Sequence, residues 1–476
     1  MATPVPLNEA RFDVDEIVRA TGGTVMGSRG AAVVGVAIDS RAVRRGGLFV
    51  ALRGQHLDGH DFLGDAARAG AAVVLVRRGA RADVEASVTV VEVEDTLRAL
   101  GHLAASHRRR WPGAVVAITG SAGKTGTKEL CAAALAADGT AVLRSAGNLN
   151  NLVGVPMTLF CLGDESRVAV VELGSSRPGE IRRLTEMSAP DVGIVTLVAA
   201  AHTEGLGTVQ DVAAEKGALL ASMAPDGTAV VNADDPLLGA VAASASLRRI
   251  LRFGRAASAD VRLVSQQVDG QRGTRCAYAV AGRPGELNVR LRMLGEGAAL
   301  NAAAALCAVL ALGSDPDVAA CAMEQVPPTP GRMFPCAGSG GTLLIDDTYN
   351  ANPRSMAVAL ETAAVLARQL GGGLVAVLGD MKELGARSSE EHAAVGRCVV
   401  DLGARILVAC GSEMSAAAAE ARAAEAPTMA VHTVSDASEA TALLRGALRA
   451  GDVVLVKGSR SMEMERVVTA LREGAS

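Results

Sequence analysis

The chain has 476 residues, 49% of them apolar and 21% charged, with a net charge of −4 and only 2% aromatic residues. That length exceeds one ordinary hydrophobic core, so two or three domains are expected, and the apolar share excludes a disordered chain. The acidic balance argues against a nucleic-acid partner, and because no run of eighteen residues lacks charge and polarity, no membrane insertion is expected.

Residues 1–112 form the first expected domain. Glu9, Arg11, Asp13 and Asp15 precede any long apolar stretch, which does not read as a signal peptide. Short Val-rich runs and Gly turns follow, closing on the polar residues 107–113. With so few aromatics, the cores must rely on Ala, Val and Leu. Cys131, Cys161, Cys276, Cys307, Cys321, Cys336, Cys398 and Cys410 include no CxxC pair. They read as reduced core thiols of a cytoplasmic protein.

The second expected domain, residues 113–328, opens with an apolar strand at 114–118. It leads into Thr119, Gly120, Ser121, Ala122, Gly123, Lys124 and Thr125, and then into a helical stretch at 128–135. Gly120 and Gly123 let backbone N–H groups face a polyphosphate, and the helix N-terminus adds positive partial charge. Lys124 would reach the terminal phosphates and the Thr125 hydroxyl would ligate magnesium. Ile118 stands where the usual phosphate loop has another Gly, and a plain strand-to-helix turn is the competing reading. Strands at 168–171 and 192–198 continue the alternation. Glu172 closes the first of these and His202 follows the second, while Lys216 lies fourteen residues further on a predicted helix. Glu172 and His202 would serve magnesium, although the ion prefers oxygen. Lys216 becomes an oxygen ligand only if carbamylated, because an ammonium offers donors alone. Taken singly, a solvated Glu, a hydrogen-bonded structural His and a surface Lys are the stronger readings.

A Pro-rich stretch at 326–331 marks a linker. The third expected domain, residues 329–476, repeats strand, polar tip and Ala-rich helix, with strands at 342–345, 374–378, 406–409 and 453–456. The predicted class is α/β in three domains: a central parallel-sheet ATPase domain of the phosphate-loop type and a C-terminal Rossmann-like doubly wound domain. Ligands of such sheets gather at the strands' carboxyl ends.

Residues 119–125, Glu172 with Leu173 and Gly174, His202 with Thr203 and Glu204, and Glu215 with Lys216 and Gly217 resemble the Mur ligase family in order and spacing. Residues 39–51 and 58–61 look like that family's UDP-binding domain, and 147–151 with 154–156 like its central substrate loop. Residues 346–353, 379–385 and 457–460 are similar to the member that adds D-alanyl-D-alanine. The resemblance implies an ATP-dependent ligase of UDP-N-acetylmuramoyl-tripeptide and D-alanyl-D-alanine. Lys124 would hold phosphates, Thr125 and Glu172 one magnesium, and His202 with carbamylated Lys216 a second. Lys124, His202 and Lys216 would thus carry catalysis. Asn301, Arg332 and Asp347 would contact the adenine, phosphate and ribose of ATP.

On the substrate side the resemblance implies that Ser40, Arg41, Asp58, Gly59 and His60 hold the UDP-sugar. Asn148, Asn150 and Asn151 would lie near the tripeptide, and Tyr349, Asn350 and Asn352 near the dipeptide. An ordinary turn at Asp58 and Gly59, and a self-satisfying Asn loop, are the bland alternatives. Gly297, Ala298 and Gly126 depart from the family pattern, the last at a cost in helix propensity. A related folate-extending ligase, or a phosphate-loop ATPase acting as a binding module, are the rival functions. A monomer is expected, because no long heptad pattern is present.

Overall fold

The computed structural model describes residues 3–27, 32–80, 84–424 and 429–473. In the first unit, a five-stranded sheet runs in the order Thr24–Met26, Thr89–Val93, Val73–Arg77, Leu48–Val50 and Val36–Ala37. Only its Thr24–Met26 edge is antiparallel. Asp95 caps the helix Thr96–Arg110 by accepting from Leu97 N and Arg98 N, satisfying two otherwise orphaned donors. That helix packs on Gly154–Leu159 and Glu180–Ser188, which joins the first unit to the second. Trp111, the chain's one tryptophan, sits at this joint, 7% exposed. Its Nε1 donates to Gly163 O and Ser166 O, and the Arg108 guanidinium lies 5.3 Å from the ring centre.

The central unit carries a nine-stranded sheet. Its order is Glu286–Leu291, Thr274–Val280, Val261–Val268, Arg249–Gly254, Thr228–Asn232, Val192–Val195, Ala114–Thr119, Val168–Glu172 and Val142–Arg144. Seven strands are parallel, and the last two in sequence turn back as antiparallel hairpins. Successive residues of Ala114–Thr119 feed opposite cores: Val115 and Ala117 pack toward Ile181 and Leu219, and Val116 and Ile118 toward Leu130 and Ala302. Both faces are covered, which is why the strand is apolar throughout instead of alternating. The helix Gly295–Leu312 covers one face and is long and apolar enough to cross a bilayer by length and composition, with 61% of it buried in the protein.

The third unit is a six-stranded sheet in the order Phe334–Ala337, Leu343–Asp347, Val453–Lys457, Leu374–Gly379, Ile406–Cys410 and Ala430–Val434. It is parallel except for the first strand, with helices on both faces. The architecture is mixed α/β, with parallel-dominated sheets. Two local expectations shift. The strand expected over 192–198 stops at Val195, because from Thr196 onward the chain bonds to the phosphate loop instead of a neighbouring strand. The cysteines are all free, but Cys321 is exposed and so is no core thiol.

Candidate functional site

The strand Ala114–Thr119 delivers its loop to the carboxyl edge of the central sheet, and the helix Lys124–Leu135 begins four residues earlier than its apolar pattern suggests. Gly120 (φ +144°) leaves no room for a side chain: a Cβ there would stand 2.0 Å from Thr196 Oγ1. Gly123 precedes the helix with φ +83° and no side-chain cap. The first helical N–H groups therefore face outward, as an anion requires. Lys124 Nζ donates to Gly120 O at 2.7 Å, and burial pulls its pKa down against the opposing charge of Glu172.

Glu172 is 2% exposed, so it is no solvated strand-end charge. Its carboxylate accepts from Thr125 Oγ1 at 2.7 Å and from Asn150 Nδ2 at 2.8 Å. A buried carboxylate beside a hydroxyl and an amide is a hard-oxygen set that fits magnesium held jointly with a polyphosphate. Among the described residues, no three His, Cys, Asp or Glu side chains gather to form a complete metal cage.

His202 lies in the left-handed region (φ +55°), costly for a non-glycine residue. Its Nδ1 pairs with the Glu383 carboxylate of the third unit, while Glu204 N donates to Glu383 O at 3.1 Å and Thr203 Oγ1 to Leu384 O at 3.1 Å. Burial lowers the His202 pKa, with Glu383 opposing. Lys216 stands on the helix Val209–Ala221, which opens with a Thr208–Asp211 capping box. It is 1% exposed, excluding the surface reading, and donates to Ser175 Oγ at 2.7 Å. Adjacent Glu215 turns away to accept Gly179 N and Ile181 N. Burial, followed by the charge of Lys124, brings the Lys216 pKa down to about 7.

From the opposite wall, Asn301 Oδ1 accepts from Thr127 Oγ1 at 3.2 Å. A Cβ on Gly126 would stand 2.6 Å from the Asn301 amide, so the departure at Gly126 makes room for that side chain. The Arg332 guanidinium lies 4.0 Å from the Tyr349 ring centre. Asp347 accepts from Lys457 Nζ at 2.6 Å and Met333 N at 3.0 Å. Lys457 also reaches Asn350 O, and Asn352 Nδ2 donates to Ser121 O at 3.2 Å.

One cavity of about 570 Å³ thus gathers Lys124, Thr125, Glu172, His202, Asn301 and Arg332 between the second and third units. Asn148, Asn150, Asn151, Asp347, Tyr349, Asn350 and Asn352 also border it, as do Gly297 and Ala298. Ser40, Arg41, Asp58, Gly59 and His60 lie apart on the first unit and do not line it. There Arg41 pairs with Asp39 with its side chain 88% exposed. His60 has both ring nitrogens engaged, Nδ1 with Asp58 and Nε2 accepting Arg77 N.

Sequence reasoning missed Lys128, and gave no role to Glu383 and Lys457 inside the family-like segments 379–385 and 457–460. Lys128 is wholly buried and donates to Ser145 O at 2.9 Å and Gly147 O at 3.4 Å, holding the chain that leads into the Asn148–Asn151 loop. A lysine on the apolar side of the phosphate-loop helix was the available signal.

Three family models match: the Mur ligase family catalytic domain over residues 32–108, the Mur ligase middle domain over 118–309, and the Mur ligase glutamate ligase domain over 331–460. The chain is 36% identical to the UDP-N-acetylmuramoyl-tripeptide--D-alanyl-D-alanine ligase of Escherichia coli strain K12, covering 93% of this chain and 94% of that protein. It is 35% identical to the enzyme of that name from Mycobacterium tuberculosis strain H37Rv, covering 92% and 91%. Among solved structures it resembles MurF from Acinetobacter baumannii, with a TM-score of 0.87 and 30% identity over 98% of this chain and 100% of that one. MurF from Thermotoga maritima in complex with ADP matches with a TM-score of 0.79 and 28% identity over 92% and 97%. On its sequence and its fold, this chain belongs to the Mur ligase family.

Proposed function

We propose that this chain is an ATP-dependent ligase of peptidoglycan synthesis, joining D-alanyl-D-alanine to UDP-N-acetylmuramoyl-tripeptide. The observation that carries the reading is Glu172, which links the phosphate loop through Thr125 to the Asn148–Asn151 loop through Asn150. That link would set a nucleotide γ-phosphate beside a second substrate on the central unit. The tripeptide carboxylate attacks the γ-phosphorus, and the bond to the β-phosphate oxygen breaks, leaving ADP and an acyl phosphate. The dipeptide amine then attacks the acyl carbon, loses a proton, and displaces inorganic phosphate.

Positioning and charge neutralisation carry such a transfer. Lys124, the helix N-terminus and Arg332 face the phosphates, with Asn301 and Asp347 on the adenosine side. Thr125 and Glu172 would hold magnesium, which neutralises phosphate charge when bound. His202 and a carbamylated Lys216 would hold a second. A lysine 1% exposed, bonded among the described residues to Ser175 oxygens and with its pKa brought down to about 7, would supply the neutral amine that CO2 requires. Residues 1–112 take the UDP-sugar, with Ser40, Arg41 and the Asp58–His60 turn nearest it. Residues 113–328 carry ATP and the tripeptide, and residues 329–476 close over them and exclude water that would hydrolyse the acyl phosphate. The working form is a cytoplasmic monomer.

ADP release measured across a panel of UDP-muramoyl peptides and amines tests this. Release that depends on both the tripeptide substrate and D-alanyl-D-alanine is the expected result. Release indifferent to the amine would make the chain a simple ATPase, and dependence on glutamate and a folate would make it a folate-extending ligase. The same panel reads whether the third peptide residue is lysine or diaminopimelate.

A further inference from the structure

Family resemblance places the run from Tyr349 to Asn352 near the amine substrate, yet Asn352 reaches the phosphate loop and Tyr349 packs against Arg332. Asn352 is 8% exposed and starts the helix Pro353–Leu370, its Oδ1 accepting Ser355 N at 2.9 Å. Its Nδ2 crosses to the central unit and donates to Ser121 O at 3.2 Å, a contact between residues 231 positions apart. Both ends of this amide are used, and only one orientation satisfies both partners. The rest of Ser121 is held by the central sheet, its N–H on Leu197 O and its hydroxyl on Ala199 O. The phosphate loop is therefore gripped from two units at a single residue. Three residues before Asn352, Tyr349 N donates to Gly331 O, and the Tyr349 ring lies under the neighbouring Arg332 guanidinium. Arg332 lines the same cavity as Lys124, and its charge adds to the burial that lowers the Lys124 pKa.

We propose that Asn352 and Tyr349 are positioning residues for the nucleotide: Asn352 couples closure of the third unit to the phosphate loop, and Tyr349 is the shelf that aims Arg332. Amine selection then belongs to other residues of the third unit. The inference rests on the proposed ligase reading only in taking ATP as the nucleotide.

Asn352→Asp separates the two tasks of this side chain. Asp caps a helix as well as Asn does, but it sets a carboxylate oxygen against the Ser121 carbonyl. Equilibrium binding of a non-hydrolysable ATP analogue should weaken on the order of tenfold, and the KM for ATP should rise alike. The melting temperature and the KM for the dipeptide at saturating ATP should stay at parental values. Tyr349→Leu should show the same nucleotide-side loss, and Tyr349→Phe, which keeps the ring, should bind the analogue more tightly than Tyr349→Leu. If Asn352→Asp loses its cooperative melt, Asn352→Ser, which keeps an oxygen cap without the amide donor, takes its place. A dipeptide KM that rises while analogue binding stays parental overturns the proposal, and so does parental behaviour in every measurement. The analogue arm does not involve the amine, so a protein indifferent to D-alanyl-D-alanine would sink the ligase reading and leave this test intact.

Discussion

Lys124 and Lys216 show how one electrostatic field assigns two roles. Both are buried, and the charge of Lys124 helps to drive Lys216 toward neutrality. Lys124→Ala should keep the fold and lower ligation by about 10²-fold or more, since it removes charge stabilisation during phosphoryl transfer; steady-state ADP release with a circular-dichroism control checks this. Lys216→Ala should lose most activity and regain part of it with added acetate, which supplies the missing oxygen ligand. Lys216→Arg should not be rescued, because the guanidinium stays charged and fills the space. Assaying both variants side by side, with and without acetate, decides the point, and full activity of Lys216→Arg would remove the carbamate. At this scale the sequence was legible where spacing is local. The Gly120–Thr125 loop carries its own glycine and lysine signature, while Lys128 offers only its place on the apolar side of the helix. Its burial depends on the carbonyls of Ser145 and Gly147, contributed by a distant loop.

The helix Lys124–Leu135 shows two forces acting in opposite directions on one element. Gly126→Ala should favour the helix, by no more than about 1 kcal/mol, yet its new Cβ would press on the Asn301 amide. Thermal melting should hold or rise while the KM for ATP increases; a variant unchanged in KM would show that Asn301 yields without consequence. Lys128→Met should act the other way, leaving the buried Ser145 carbonyl without its donor and Glu129 without its ion-pair partner, and costing about 1–3 kcal/mol. Chemical denaturation should show that loss together with a higher KM for the UDP-linked substrate. The strands of the third unit could be read from composition because both faces of a parallel sheet demand unbroken apolar runs, as in Leu374–Gly379. The antiparallel ribbon Val261–Leu291 escaped although its outer strand, Glu286–Leu291, alternates cleanly; only in Val261–Val268 is the period-two pattern broken, by the register shift between Leu263 and Ser265.

Across the whole molecule, the cleft is assembled from sequence-distant pairs: Asn352 with Ser121, Glu383 with His202, and Asn301 with Thr127. No local pattern announces such pairs, so the identities of the site residues could be read from motifs while their partners could not. Replacing residues 331–476 with the same region of a tripeptide-forming Mur ligase should change which amine is accepted. Unchanged dipeptide preference in a well-folded, active chimera would move amine recognition to another unit. Trp111 has a different consequence. The chain's one indole is wedged at the joint of the first and second units, beneath a guanidinium and between two carbonyl acceptors. Its emission is therefore a built-in optical gauge of that joint. It should brighten or shift when the first unit swings or melts away, and stay dark to the third unit closing on ATP, a motion that needs a fluorophore placed elsewhere.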